Sequence, residues 1–253
     1  MSEPGFDIPP SLAEKLRAAR YVAVLTGAGV SAESGIPTFR DAQTGLWAKY
    51  DPQELATPQA FQQNPQLVWD WYAWRSELVG RAAPNPAHVA LAELERRVPR
   101  LTLITQNVDG LHQQAGSRYV VELHGNIART KCFAEDVVVE RWDETGEIPP
   151  RCPRCGGPLR PDVVWFGERL PEAALLAAQE AALHCDLFFS IGTSGVVEPA
   201  ASLPFMALKH GATVVIVNPE TKSSPGPTLY GLSGPAGTVL PALLRAAWPE
   251  KEP

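Results

Sequence analysis

The chain of 253 residues is short of the features that would assign it to a membrane, a nucleic acid or a secretory route. Its first residues, MSEPGFDIPP, carry neither a basic start nor an apolar run, so no signal peptide is expected. No apolar run approaches the roughly 18 residues that suggest a membrane-crossing helix, and a membrane partner is not expected. Basic residues never cluster in more than a few, and the net charge of −6 argues against nucleic acid as a partner. Four cysteines are too few for a disulfide scaffold in a chain of this length. What remains is a soluble protein of a reducing compartment, expected in the cytoplasm. The hydrophobic fraction of 45% is ordinary for a globular protein and implies one large domain, or one domain carrying an inserted module.

What is present is concentrated first in YVAVLTGAGVSAESGIPTFRD, residues 21–41. An apolar run, Val22 to Leu25, has the composition of a buried parallel strand. Gly27, Gly29 and Ala32 follow in the spacing G-x-G-x-x-A. In a strand–turn–helix unit these small residues permit a tight turn, close approach to a pyrophosphate and close helix packing. The helix start would then offer free N–H groups to phosphates. A plain dinucleotide fold would continue to a second strand bearing a ribose-binding acid. Here Ser34, Gly35, Pro37, Phe39, Arg40 and Asp41 mark a loop instead, which could cover a ligand. This block resembles the cofactor loop of the sirtuins, the NAD-dependent protein-lysine deacylases, and blocks further along extend the resemblance over roughly residues 20 to 240.

Along the chain, residues 11–20 read as a helix with Ser11 at its N-cap. Trp47, Trp69, Trp71, Tyr72 and Trp74 fall in helical segments punctuated by Pro52, Pro58 and Pro65, and core packing is their ordinary role. Residues 85–97 read as an amphipathic helix leading to a strand at Leu101–Ile104. That strand ends in TQNVDGLH, Thr105, Gln106, Asn107, Val108, Asp109, Gly110, Leu111 and His112, with polar groups at a strand's carboxyl end where open α/β sheets bind ligands; Asn107 or Asp109 could instead simply cap a turn. A strand at Tyr119–Leu123 delivers His124 beside Gly125, and an imidazole of ordinary basicity suits proton abstraction near neutral pH. LRPDVVWFGE, residues 159–168, is expected to restore the sheet. A helix from Pro171 to His184 follows, then a strand ending in Gly192, Thr193, Ser194 and Gly195, and another ending in Asn218 and Glu220. Residues 221–237 read as an exposed loop, and Leu240–Trp248 as a closing helix.

Strands alternating with helices give an α/β, doubly wound, mostly parallel Rossmann-like sheet. Residues 1–44, 87–125 and 159–253 are expected to form that domain, and a helical insert (45–86) and a zinc-ribbon-like insert (126–158) a smaller lobe. The resemblance implies that NAD is held by Gly27, Ala28, Gly29, Ser31, Pro37, Thr38, Phe39, Arg40, Gln106, Asn107, Asp109, Gly192, Thr193, Ser194, Asn218, Glu220 and Ala236. It implies His124 as general base, with Asn107 beside it at the reacting ribose. It also implies that an acyl-lysine peptide adds as a strand along Val163, Val164, Trp165, Phe166 and Gly167.

Two points depart from a simple match. RCPRCGG places Cys152 and Cys155 in a zinc-knuckle spacing, but Cys132 is followed by Glu135 where a fourth thiol would complete the family's set of four. Zinc held by three Cys and a carboxylate (Glu135 or Asp136), zinc held by three Cys and water, and a module without metal all remain open. A hard oxygen in place of a soft thiolate tips the expectation toward no tightly held zinc. Second, Tyr72 and Arg75 lie three apart, hence on one helix face. The segment resembles the sirtuin branch that removes succinyl and malonyl groups, with Ala56 as the small residue that enlarges the pocket. A deacylase acting on succinyl-, malonyl- and also acetyl-lysine is therefore expected. A mono-ADP-ribosyltransferase and a silent NAD- or ADP-ribose-binding module are the alternatives.

Overall fold

Continuous apolar runs become the inner strands of a parallel sheet because both of their faces are covered. Tyr21–Thr26 (β1) is buried at every position, as is the run Leu187–Ile191 described below. The computed structural model describes residues 6–37, 50–143, 146–222 and 226–249. In chain order its elements are α1 (Pro10–Ala18), β1, α2 (Pro52–Leu55), α3 (Pro58–Gln63), α4 (Pro65–Arg81), α5 (Pro86–Arg97), β2 (Arg100–Thr105), α6 (Leu111–Gln114), β3 (Val120–Glu122) and β4 (Gly125–Cys132). There follow β5 (Leu159–Val163), α7 (Glu172–His184), β6 (Leu187–Ile191), α8 (Leu203–Lys209), β7 (Thr213–Val217), β8 (Leu229–Leu232) and α9 (Ala236–Ala247).

The main sheet has the order β3-β2-β1-β6-β7-β8, and each neighbouring pair is parallel. One face packs on α1, α5 and α9 through Leu12, Leu91 and Leu243. The other packs on α7 and α8 through Ala178, Ala181 and Leu203. Strand order reverses between β1 and β6, so the carboxyl ends of these two strands flank the switch point where doubly wound sheets bind ligands.

Several expectations are corrected. Leu159–Val163 does not join the main sheet; it pairs antiparallel with β4 in a separate two-stranded sheet. The stretch expected to be loop from 221 to 237 contains β8 and the first two residues of α9, because Leu229, Tyr230 and Leu232 extend the sheet beside β7. Ser11 lies inside α1, whose cap position is Pro9; its hydroxyl instead meets that of Tyr230 at 3.1 Å. Pro52, Pro58 and Pro65 are the first residues of α2, α3 and α4, where the missing N–H costs nothing. Thr57 and Asn64 cap α3 and α4 through their side chains.

The helical segment and the two-stranded sheet share a core: Phe61, Val68, Trp71 and Tyr72 pack on Ile127, Val163 and Trp165. A smaller cluster of Cys132, Val139, Cys152 and Leu159 is covered by Trp69 and Trp142.

Candidate active site

The glycine turn after β1 is shaped by a neighbouring backbone. Gly27 N–H donates to Ile191 O and Gly29 N–H to Gly192 O, each at 3.0 Å. A Cβ on Gly192, whose φ is +59°, would stand 2.5 Å from Val30 N, and one on Gly29 would stand 2.8 Å from the Gly192 Cα. These glycines therefore let two loops interlock. The expected α-helix after the turn is replaced by two short 3₁₀ turns, Ala28–Val30 and Ala32–Ser34, ended by Gly35 at φ +80°. Asn85 draws Val30 O away from helical pairing with an Nδ2 hydrogen bond of 2.8 Å.

Beneath the turn lies a buried polar network. Ser31, 1% exposed, donates to Asp109 Oδ2 at 2.7 Å and accepts from Asn107 Nδ2 at 3.1 Å. His88 accepts from Asn85 N at Nδ1, so its Nε2–H faces Ser31 Oγ at 3.4 Å. The Ser31 hydroxyl is thus fully used. Asn107 also donates to Gly27 O at 3.1 Å. Both amide hydrogens are occupied, and its carbonyl oxygen is the end that can meet a ligand hydroxyl. Asp109 Oδ1 accepts from Leu111 N at 3.0 Å, which ties this residue to the start of α6, whose cap position is Gly110. Next to it, Thr26 donates to Thr105 Oγ1 at 2.9 Å and accepts from His112 Nε2 at 2.9 Å. Burial, aided by the nearby His88, pushes His112 down to about 3, and burial lowers His88 as well. Sequence reading passed over His88 and Thr26 and gave Thr105 and His112 no separate role, because isolated polar residues in amphipathic helices and strands carry no spacing signal.

His124 follows β3, with Gly125 (φ +80°) behind it. A Cβ at Gly125 would stand 2.1 Å from Asp162 O. His124 Nδ1 lies 2.9 Å from Gln106 O, a carbonyl that can only accept, so Nδ1 carries the proton and Nε2 keeps its lone pair. Burial lowers the imidazole from its usual value, partly offset by that same hydrogen bond. The His124 carbonyl accepts from Val164 N at 2.9 Å, fixing the base to the end of β5.

A cavity of about 330 Å³ opens beside Gln106, Ser190, Thr193, Ser194, Asn218 and Glu220. Asn218 Nδ2 donates to Thr193 O at 3.1 Å, linking the loops after β6 and β7. Ala236 is buried as the first residue of α9, and the next N–H, of Gly237, is taken by Glu33 at 2.8 Å. Ala28 is half-buried and Pro37 exposed, whereas Thr38, Phe39 and Arg40 lie outside the described residues.

Past β5, Phe166 N–H donates to Ala56 O at 2.9 Å. Phe166 and Gly167 are exposed, while Val163, Trp165, Ala56 and Tyr72 are buried. Arg75 follows Tyr72 by three residues on α4, with its guanidinium 5.1 Å from the Trp71 ring centroid. Burial lowers the Arg75 guanidinium, and the nearby Tyr72 opposes that shift.

The ligand atoms of Cys132, Cys152, Cys155 and Glu135 lie within 4.8 Å of one another. Cys132 Sγ and Cys155 Sγ are 3.4 Å apart, and Gly157 N–H points at Cys155 Sγ. Three thiols and a carboxylate at that spacing could converge on one tetrahedral ion. Asp136 pairs with Lys131 at 2.6 Å and Glu135 with Arg154 at 3.3 Å, and of the two acids Glu135 is the one whose carboxylate lies within the cluster.

The Sir2 family model matches residues 27–199, which contain the glycine turn, the polar network, His124 and the cysteine cluster. The chain belongs to the Sir2 family. It is 55% identical over 247 residues to NAD-dependent protein deacylase 1 of Pseudomonas aeruginosa, covering 94% of this chain and 99% of that one. A crystal structure of a Sir2 homologue–NAD complex is similar over 97% of this chain and 96% of its own, at 45% identity and TM-score 0.85. A Sir2–p53 peptide–NAD complex is similar over 93% and 96%, at 33% identity and TM-score 0.78. The sirtuin resemblance read from the motifs is therefore borne out, as is the α/β fold. Among the described residues, no helix is long and apolar enough to cross a membrane.

Proposed function

We propose that this Sir2 protein is an NAD-dependent protein-lysine deacylase with a preference for succinyl- and malonyl-lysine and some activity on acetyl-lysine. The observation that carries the reading is His124, a neutral imidazole whose proton sits on Nδ1, held by the carbonyl of Gln106 next to Asn107. Bound NAD would supply an activated ribose: the acyl oxygen displaces nicotinamide at C1′, a ribose hydroxyl attacks the resulting imidate, and one water completes the release of free lysine and 2′-O-acyl-ADP-ribose. His124 Nε2 takes the proton of a ribose hydroxyl. The carbonyl end of Asn107 orients that hydroxyl, and the Ser31–Asp109–His88 network fixes Asn107. Thr193, Ser194, Asn218 and Glu220 hold the adenosine side in the cavity after β6 and β7. The main-sheet domain provides the cofactor site, and the lobe of 45–86 and 126–158, joined by β5 through its pairing with β4, faces it. An acyl-lysine peptide lies along Val163–Gly167. Cys132, Cys152, Cys155 and Glu135 hold a structural zinc, released more easily than one held by four thiolates.

The acyl preference rests on Tyr72, Arg75 and Ala56. A succinyl or malonyl group ends in a carboxylate, whose transfer into an apolar pocket is costly unless paired. A guanidinium and a phenol on one helix face offer up to three donors, and the small side chain of Ala56 leaves room. The test is a nicotinamide-release assay with and without acylated peptides. Release that requires succinyl-peptide supports the reading. Release with transfer of ADP-ribose to protein, or no release, contradicts it.

A further inference from the structure

Tyr72 is itself held by a neighbour on the stretch along which the peptide is expected to lie. Trp165 Nε1 lies 2.9 Å from the Tyr72 hydroxyl, and both residues are 2% exposed. An indole N–H can only donate, so the phenol oxygen is the acceptor in this pair and Tyr72 keeps its own proton to give away. Burial raises the phenol to about 12, so that proton stays in place throughout the neutral range.

Trp165 is fixed in turn. Its backbone N–H donates to Glu168 Oε2 at 2.8 Å. The Arg160 guanidinium stacks 3.2 Å from its ring centroid and pairs with Glu168, while also bonding Val163 O at 2.6 Å. Phe61 closes another side, with ring centroids 5.3 Å apart. The indole has little freedom to turn, and its N–H is aimed at one oxygen.

We propose that Trp165 is a specificity-determining positioning residue: its indole N–H occupies a lone pair of the Tyr72 hydroxyl and so directs the phenolic proton to the carboxylate of a dicarboxylic acyl group. This inference rests on the acyl reading above. It goes further in assigning selectivity to a residue outside the Tyr72–Arg75 pair, through a bond that an acetyl group does not sense.

The experiment compares kcat/KM for succinyl- and acetyl-lysine peptides in the wild type, Trp165→Phe, Tyr72→Phe and the double variant, with melting temperature recorded for each. Phenylalanine keeps an aromatic ring against Phe61 and Arg160 but removes the N–H. The succinyl-to-acetyl ratio should fall about tenfold in Trp165→Phe, chiefly through the succinyl KM, as expected for misdirecting one hydrogen bond to a charged group. In the Tyr72→Phe background the same change should leave the ratio unaltered, which a general packing role would not produce. If Trp165→Phe does not fold, Trp165→His, which can retain a ring N–H, should keep more of the ratio than Trp165→Leu; equal ratios would overturn the inference. A wild-type succinyl preference that survives intact in Trp165→Phe overturns this inference alone. A wild type with no such preference overturns both it and the acyl reading.

Discussion

At the scale of single residues, the site contains a base in its working form. His124 donates from Nδ1 to Gln106 O, and burial keeps the ring neutral. Its folded pKa lies below the ordinary 6.5, so kcat/KM should reach its plateau near neutrality and fall as pH drops through a midpoint below that value. An acid limb centred above about pH 7 would contradict the assignment. His124→Ala should abolish deacylation while NAD affinity stays within a few fold, as isothermal titration would register. Arg75→Met should lower succinyl turnover by on the order of a hundredfold, since losing a buried charge-assisted pair costs about 2–5 kcal/mol. Acetyl turnover should change far less; equal losses on the two substrates would remove Arg75 from the selection of acyl groups.

Among elements, the decisive contact is between the turn after β1 and the loop after β6. Gly192→Ala would put a methyl 2.5 Å from Val30 N at a left-handed φ. Either the loops part or the backbone strains, and a loss of about 2 kcal/mol or more in unfolding free energy is expected, with weakened NAD binding. A variant as stable as the wild type would show that the interlock carries little. In the metal cluster, Glu135→Cys should slow zinc loss to a chelator, followed by a colorimetric zinc dye; equal release rates would exclude Glu135 as a ligand. Much of this was legible in the sequence. The runs at Val22–Leu25 and Leu187–Ile191 read as buried strands because both faces are apolar, and the Cys-x-x-Cys knuckle and His124–Gly125 carry their own spacing. The pairing of β5 with β4 was not legible, since an isolated strand does not name its partner. Nor was β8, whose Gly231 and flanking Gly, Pro and Ser look like loop. Gly29 has a further role that its spacing did not reveal: its lack of a side chain also makes room for a protein backbone, that of Gly192.

For the molecule as a whole, burial of imidazoles sets the pH range of stability. His88, His112 and His124 are all held below their ordinary value by burial. The unfolded chain titrates near 6.5 and takes up protons there that the folded sites refuse, so stability is full above that pH. It should fall as the solution is acidified below 6.5, continuing for His112 toward about 3, by at most about 1.4 kcal/mol per pH unit for each such group. Melting temperature should therefore drop between about pH 7.5 and about pH 5.5, and His112→Gln should reduce the drop. A melting temperature that rises on acidification would contradict the account. The central claim concerns chemistry, and mass spectrometry of the products tests it most directly. With NAD and a succinyl-lysine peptide, the protein should yield nicotinamide, free lysine peptide and 2′-O-succinyl-ADP-ribose in equal amounts, and His124→Ala should yield none. Nicotinamide formed without 2′-O-succinyl-ADP-ribose, or no reaction at all, would contradict it.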